Sequence, residues 1–81
     1  MAGAESGVTM AYMSAAAIAE DLIVRIQMRE FPPDSRLPTF VELAGWYDCP
    51  EPRIKHAMVR VAASGLVEYR QGKGWYVREG L

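Results

Sequence analysis

Apolar residues recur along the chain with the period of an amphipathic helix, most clearly over residues 51–64. The apolar face of this stretch repeats at i, i+3, i+4 and i+7 through Ile54, Ala57, Met58 and Val61. Such a face has to be buried against a core. The other positions carry three cations and a histidine, which then project toward solvent. The pattern predicts a helix from Glu51 to Ser64, around which the rest of the chain is organised.

A first helix is predicted near the start of the chain. Ile18, Leu22 and Ile26 stand four residues apart, which places them on one helix face. Ser14 precedes this pattern and is a good N-terminal cap. We therefore expect a packing helix from Ser14 to about Met28, with its apolar face turned inward.

A second helix is predicted between two breaks in the pattern. The prolines at positions 32 and 33 interrupt the preceding helix, because proline cannot continue it. Thr39 is a good cap, and Glu42 follows at the spacing of a capping box. The helix should run from Thr39 to about Tyr47. Asp48 then tolerates the left-handed conformation that ends many helices.

The last third of the chain has the composition of a β-hairpin. Residues 66–70 and 75–78 are rich in aromatic and β-branched side chains, and the basic, glycine-rich segment Gln71-Gly72-Lys73-Gly74 joins them. Helix, turn, helix and ribbon together predict a mainly α domain with a small β-hairpin, a three-helix winged helix-turn-helix. We expect it to occupy residues 14–81, after a flexible N-terminal tail over residues 1–13.

Length and composition narrow the chemistry. A chain of 81 residues forms one small domain with one core, and 51% hydrophobic residues indicate a globular protein. The apolar runs are too short for a membrane span, and the N-terminus lacks the features of a signal peptide. The single cysteine can form neither an internal disulfide nor a metal site. We expect a soluble cytoplasmic protein with no cofactor and no metal.

The charges are unevenly distributed along the chain. Residues 1–50 carry three basic and seven acidic groups, a balance of −4, whereas residues 51–81 carry six basic and three acidic groups, a balance of +3. The sum is the net charge of −1. Cations concentrated on one face can neutralise phosphates even on a slightly acidic protein. Judged by charge alone, a face that binds phosphates and a face that is only exposed to solvent fit equally well.

The order of the motifs resembles the DNA-binding domain of GntR-type transcription regulators. The matching segments are Phe31-Pro32-Pro33, Arg36-Leu37-Pro38, Glu42-Leu43-Ala44, residues 57–67, and Gln71-Gly72-Lys73-Gly74-Trp75-Tyr76-Val77. Each segment is weak alone, but the ordered set is specific and covers residues 14–78. The resemblance implies three helices and a wing, with the third helix in the major groove of double-stranded DNA and the wing tip near the adjacent minor groove.

The resemblance assigns roles to individual residues. Arg53, Lys55 and His56 are expected in the major groove. Thr39 and Arg60 are expected on phosphates, and the wing tip should contact DNA through Gln71, Gly72 and Lys73, because the glycines let the backbone approach closely. This sequence departs from the family at two positions. Family members usually have DNA-contacting arginines there, whereas this chain has Val41 and Glu51. The usual Ser or Thr cap is replaced by Pro50.

The resemblance also bears on partners. Family members normally carry a larger C-terminal domain that binds an effector and forms the dimer, whereas this sequence stops at Leu81. We therefore expect no small-molecule effector. Strong specific binding by a lone module would need a second copy, as a homodimer or a cooperative assembly on DNA. Trp46, Val59 or the N-terminal tail could supply a protein contact, and Trp46 fits a core position equally well.

Three functions fit these residues. The first is a sequence-specific DNA-binding transcription regulator, most simply a repressor. The second is an architectural factor that acts on DNA in excision or partition. The third is a winged helix that has lost DNA binding and contacts proteins instead, which Val41 and Glu51 would favour. An enzyme is not expected, because His56 is the only histidine and Cys49 has no evident catalytic partner.

Overall fold

The computed structural model describes residues 13–78 and contains the five predicted elements in the predicted order. They are the helices α1 (Ala15–Gln27), α2 (Phe40–Tyr47) and α3 (Glu51–Ala63), followed by the strands β1 (Val67–Arg70) and β2 (Gly74–Val77). This confirms the three-helix winged helix-turn-helix. The predicted tail over residues 1–13 lies, up to residue 12, outside the described residues.

Two of the helices begin at the caps that the sequence predicts. Ser14 Oγ accepts a hydrogen bond from the Ala17 N–H at 3.0 Å. At α2 the capping box is complete, because Thr39 Oγ1 accepts from the Glu42 N–H at 3.1 Å and Glu42 Oε1 accepts from the Thr39 N–H at 2.9 Å. α3 instead begins after Pro50 without a side-chain cap.

The core is built on α3, which packs against α1, α2 and β1. The four residues of its predicted apolar face are each at most 1% exposed. The rest of the buried core comprises Ile18, Ala19, Leu22, Ile26, Leu37, Leu43, Tyr47, Val67 and Val77. Burying one face of α3 in this way fixes its other face toward solvent.

A further segment of the chain pairs with the two-stranded sheet. β1 and β2 pair antiparallel, with Val67 opposite Val77. In addition, backbone hydrogen bonds of 2.8–2.9 Å join residues 34–37 to residues 75–77, and Arg36 lies opposite Tyr76. The segment between the first two helices therefore pairs with β2 through an isolated bridge, which holds the base of the wing against the helical core.

Candidate nucleic-acid interface

The solvent face of α3 carries exposed polar and charged side chains. Lys55, His56 and Arg60 are all exposed, as is Glu51 at the start of the helix. Lys55 and Arg60 form none of the ion pairs found within residues 13–78. Because the opposite face of the helix is in the core, these cations are available to an external partner.

Arg53 is placed differently from its neighbours on α3. Its side chain is half-buried, and Nη1 donates a hydrogen bond to the backbone oxygen of Met13 at 3.3 Å. Met13, Ser14, Arg53 and His56 contribute to the lining of a shallow cavity where the starts of α1 and α3 meet. The structure therefore holds Arg53 against the beginning of α1, whereas Lys55 and His56 extend into solvent.

The start of α2 contributes one polar and one apolar side chain to the surface. Thr39 is exposed, and its oxygen accepts from the Glu42 N–H. Its hydroxyl hydrogen remains free to donate to an acceptor outside the protein. Val41, in the first turn of the same helix, is 65% exposed. The resemblance to GntR-type regulators led us to expect an arginine at this position, but the surface there is apolar.

The wing tip is a tight turn that exposes one cation. Gln71, Gly72 and Lys73 are all exposed, and the Lys73 N–H donates to the Arg70 carbonyl at 2.9 Å, which closes the turn. Gly72 has φ +77°, a conformation that glycine adopts without steric cost. Lys73 makes no ion pair with the described residues, so its ammonium group is available at the tip.

Arg70 contributes to the positive balance of the C-terminal half but is neutralised within the fold. It donates hydrogen bonds to Asp34 at 2.7 Å and to Glu68 at 2.8 Å. Its guanidinium carbon also lies 4.2 Å from the centroid of the Tyr76 ring. These two carboxylates, Asp34 first, raise the pKa of Arg70 above its ordinary value. Arg70 therefore adds little to the charge that this half offers to an external partner.

A network of hydrogen bonds connects α1 and α2. The Tyr47 hydroxyl donates to Asp21 Oδ2 at 2.6 Å, and Arg25 Nε donates to the same oxygen at 2.9 Å. The hydrogen bond from Tyr47, followed by Arg25, lowers the pKa of Asp21. Arg25 also lies over Trp46, which stacks on Phe31 and remains 53% exposed. This network orients α2 and thereby the start of the helix-turn-helix.

Cys49 belongs to no cluster of potential metal ligands in the part of the chain that the structure describes. Cys49 is half-buried, and burial raises the pKa of its thiol, so the reactive thiolate is disfavoured. Across residues 13–78, no three His, Cys, Asp or Glu side chains are grouped so that they could hold a metal ion. None of the helices in that range is long and apolar enough to cross a membrane.

Comparison with protein families gives one match. The model of the gntR family of bacterial regulatory proteins matches residues 14–77, which is most of the chain. A search of curated protein sequences gives no match.

Solved structures share the fold over nearly the same range. The N-terminal domain of AraR, in complex with mutant ORR3, has a TM-score of 0.74 and 26% identity, over 82% of this chain and 94% of that one. AraR(DBD) in complex with operator ORR3 has a TM-score of 0.72 and 27% identity, over 78% and 76%. GntR of Streptococcus agalactiae has a TM-score of 0.70 and 33% identity, over 79% of this chain but 31% of that one.

Proposed function

Because the chain belongs to the GntR family of bacterial regulatory proteins, it carries a DNA-binding domain, and we propose that α3 enters the major groove while the wing lies at the adjacent minor groove. The domain is a binding module and not an enzyme. We further propose that it acts in the cytoplasm as a transcription regulator. The similar AraR structures contain operator DNA, which supports this direction.

The contrast between paired and unpaired cations carries the proposal. Arg25 and Arg70 are each held by two carboxylates of the protein itself. Lys55, Arg60 and Lys73 have no such partner among the described residues, and all three are exposed. Cations that the fold leaves free can displace condensed counterions from a DNA backbone, which is the main source of affinity for duplex DNA.

The exposed side chains suggest a division of roles. Lys55 and His56 are exposed neighbours in the first half of α3, so we assign them to base edges in the major groove. Thr39, with its free hydroxyl hydrogen, and Arg60 are assigned to phosphates. At the wing, Gln71, Gly72 and Lys73 form the contact surface.

Arg53 receives a revised role. The sequence analysis assigned it to the groove beside Lys55. Its guanidinium, however, donates to the Met13 carbonyl at the start of α1. A side chain held in this way is better suited to a fixed phosphate than to a base edge, because reaching a base would require breaking the internal hydrogen bond. We therefore propose that Arg53 contacts the backbone.

Repression is the regulatory outcome that we propose. A domain that occupies an operator within a promoter excludes the transcription machinery without needing any further contact. We propose in addition that two copies bind together, as a homodimer or by cooperative assembly, because one small module makes few phosphate contacts. An architectural role in excision or partition would use the same interface on different DNA.

A protein-binding role is favoured by one observation. Val41 and Glu51 are exposed where the family usually has DNA-contacting arginines, so part of the surface lacks the expected donors. A winged helix with an apolar and acidic patch at this place could bind a protein. The free cations Lys55, Arg60 and Lys73 argue for DNA first.

A direct titration tests the proposal. The purified protein is titrated with the DNA that surrounds its own gene and with random DNA of equal length, each at two salt concentrations. Salt-sensitive binding that prefers the native DNA supports a sequence-specific regulator, and a footprint over a promoter separates it from an excision factor beside a recombination junction. No binding to either DNA at low salt would rule out DNA binding and favour the protein-binding role.

A further inference from the structure

Arg36 is held in place by an isolated bridge to β2. Its backbone lies opposite Tyr76 of β2, while the neighbouring Leu37 N–H donates to the Trp75 carbonyl at 2.8 Å. On the other side, the Val77 N–H donates to the Ser35 carbonyl at 2.9 Å. The base of the Arg36 side chain is therefore held by hydrogen bonds on both flanks, although the residue itself is exposed.

The register places Arg36 on the solvent face of the sheet. Residues that pair directly across strands project from the same face, so Arg36 shares its face with Tyr76 and with Glu68, the partner of Tyr76 on β1. Leu37, next in sequence, turns to the other face and is 3% exposed. The side chain of Arg36 therefore lies outside the core.

The side chain of Arg36 leans toward the wing tip. Its Nε lies 3.7 Å from the place where a Cβ would stand on Gly74. Gly74 is two residues closer to the tip than Tyr76, about 7 Å along an extended strand. Since glycine has no side chain, the guanidinium can extend across this position. The charged group thus lies beside the turn that carries Lys73.

Arg36 and Arg70 lie on the same face of the sheet but have different partners. Arg70 pairs with Gly74 in the register and is neutralised by Asp34 and Glu68. Arg36 takes part in none of the ion pairs among residues 13–78, even though Asp34 is only two residues away in sequence and Glu68 lies on the same face of the sheet. Because Arg70 pairs with the nearby carboxylates, the guanidinium of Arg36 is left available to an external anion.

We propose that Arg36 is a further DNA-binding residue, which contacts a backbone phosphate beside the groove that the wing enters. The proposal rests on DNA binding by the domain and adds a second cation to the wing, next to Lys73. Arginine suits this place because its planar fork of donors matches phosphate oxygens. The contact is independent of sequence, so it should contribute equally on any duplex.

Salt dependence of binding tests the role of Arg36. Wild-type protein and the variant Arg36→Gln are titrated with a mixed-sequence duplex of about 20 base pairs. The salt slope is the steepness with which the logarithm of the binding constant falls against the logarithm of the salt concentration. Each lost phosphate contact lowers this slope by about 0.9. Raising the salt from 50 to 200 mM should therefore weaken DNA binding by the variant about 3.5-fold less than binding by the wild type. Arg36→Lys keeps the charge and should retain most of the wild-type slope.

Two further variants separate a DNA contact from a general charge effect. Arg29→Gln removes another exposed arginine. Arg29 lies just beyond the C-terminal end of α1, whereas Arg53 contacts the chain at the N-terminal end of this helix, so the variant should leave the slope unchanged. Lys73→Gln should lower it by about 0.9, and the double variant with Arg36→Gln by about 1.8. Thermal unfolding of each variant checks that the fold is intact.

The outcomes distinguish the two levels of the proposal. If the wild type and Lys73→Gln behave as expected but Arg36→Gln matches Arg29→Gln, Arg36 has only a structural role, and the inference is wrong while DNA binding stands. If the wild type shows no binding at low salt, both the inference and the proposed function are overturned. A reduced slope for Arg36→Gln that is recovered in Arg36→Lys supports the phosphate contact.

Discussion

At the scale of single residues, Tyr47 shows how one hydroxyl fixes the geometry of the helix-turn-helix. Its ring is part of the core, while its hydroxyl reaches Asp21 on α1. This hydrogen bond is the largest influence that lowers the pKa of Asp21. The folded protein therefore binds a proton at Asp21 less readily than the unfolded chain does, which makes the contact dependent on pH.

We expect Tyr47→Phe to destabilise the domain by on the order of 1 kcal/mol at neutral pH. The effect is modest because the Asp21 side chain is 40% exposed. The folded pKa of Asp21 lies below its ordinary value of 3.8. The contribution of the hydrogen bond to stability is therefore fully present above pH 3.8 and is lost as the pH falls through the folded pKa. The difference between variant and wild type should shrink accordingly.

Denaturant unfolding at several pH values measures this difference. Tyr69→Phe is a matched control, because it removes a tyrosine hydroxyl from a side chain that is 59% exposed and whose hydroxyl makes no hydrogen bond within residues 13–78. An equal loss in both variants, or a loss in Tyr47→Phe that does not change with pH, would contradict the role assigned to the Asp21 contact.

Lys55 and Arg53 should differ in what they contribute to DNA binding. Lys55→Ala should reduce the discrimination between native and random DNA by about 1–3 kcal/mol, as expected for loss of a base contact. Arg53→Ala should weaken binding to both kinds of DNA by the same factor, because we assign this side chain, which is hydrogen-bonded to Met13, to a DNA phosphate. A loss of discrimination in Arg53→Ala would show instead that Arg53 contacts a base in the major groove.

At the scale of elements, local sequence patterns predicted the helices well. The apolar spacing of residues 54–61 gave the buried face of α3, and Thr39 with Glu42 gave the capping box that the structure contains. Asp48 has φ +52°, the left-handed conformation expected at the end of α2. Such features depend on residues close in sequence, so a single chain reveals them.

Thr39 should matter both for α2 and for the interface. Thr39→Ala removes the cap of the Glu42 N–H and should cost about 1 kcal/mol, which lowers the melting temperature by about 4–8 °C in a domain of this size. Thr39→Ser keeps the side-chain oxygen and should stay close to the wild type. Calorimetry of the three proteins checks this, and equal melting temperatures for Ala and Ser would exclude a capping contribution.

Contacts between distant parts of the chain could not be predicted from these patterns. Arg36 and Tyr76 are 40 residues apart, as are Met13 and Arg53, and nothing in the local sequence of either pair indicates the other. For the same reason, the positive count of the C-terminal half included Arg70, whose partner Asp34 lies on another segment. Charge along the sequence therefore overestimated the cations available around the wing.

At the scale of the whole molecule, an acidic protein carries unpaired cations on α3 and at the wing tip. The net charge is −1 and the pI about 5.7. Carboxylates of Asp21, Glu30, Asp34 and Glu68 are paired with arginines inside the fold, while the cations of α3 and the wing are not. The local field rather than the net charge should guide the domain to DNA.

Assembly on DNA should follow the spacing of the double helix. If two copies bind together, a duplex with two half-sites about 10–10.5 base pairs apart should bind more tightly than one with a single half-site. Inserting about five base pairs moves the half-sites to opposite faces and should remove the gain. Quantitative gel shifts on the three duplexes measure it, and equal affinities would indicate independent monomers.

The stack of Trp46 on Phe31, together with a second aromatic pair in the sheet, provides the protein with two intrinsic fluorescent reporters. Trp46 stacks on Phe31 beside the helices, whereas Trp75 meets Tyr69 edge-on in the sheet, with ring centroids 5.4 Å apart. Replacing either indole by phenylalanine leaves a single tryptophan in one part of the molecule. Emission from Trp75 can then register events at the wing while emission from Trp46 follows the seating of α2, without any attached dye.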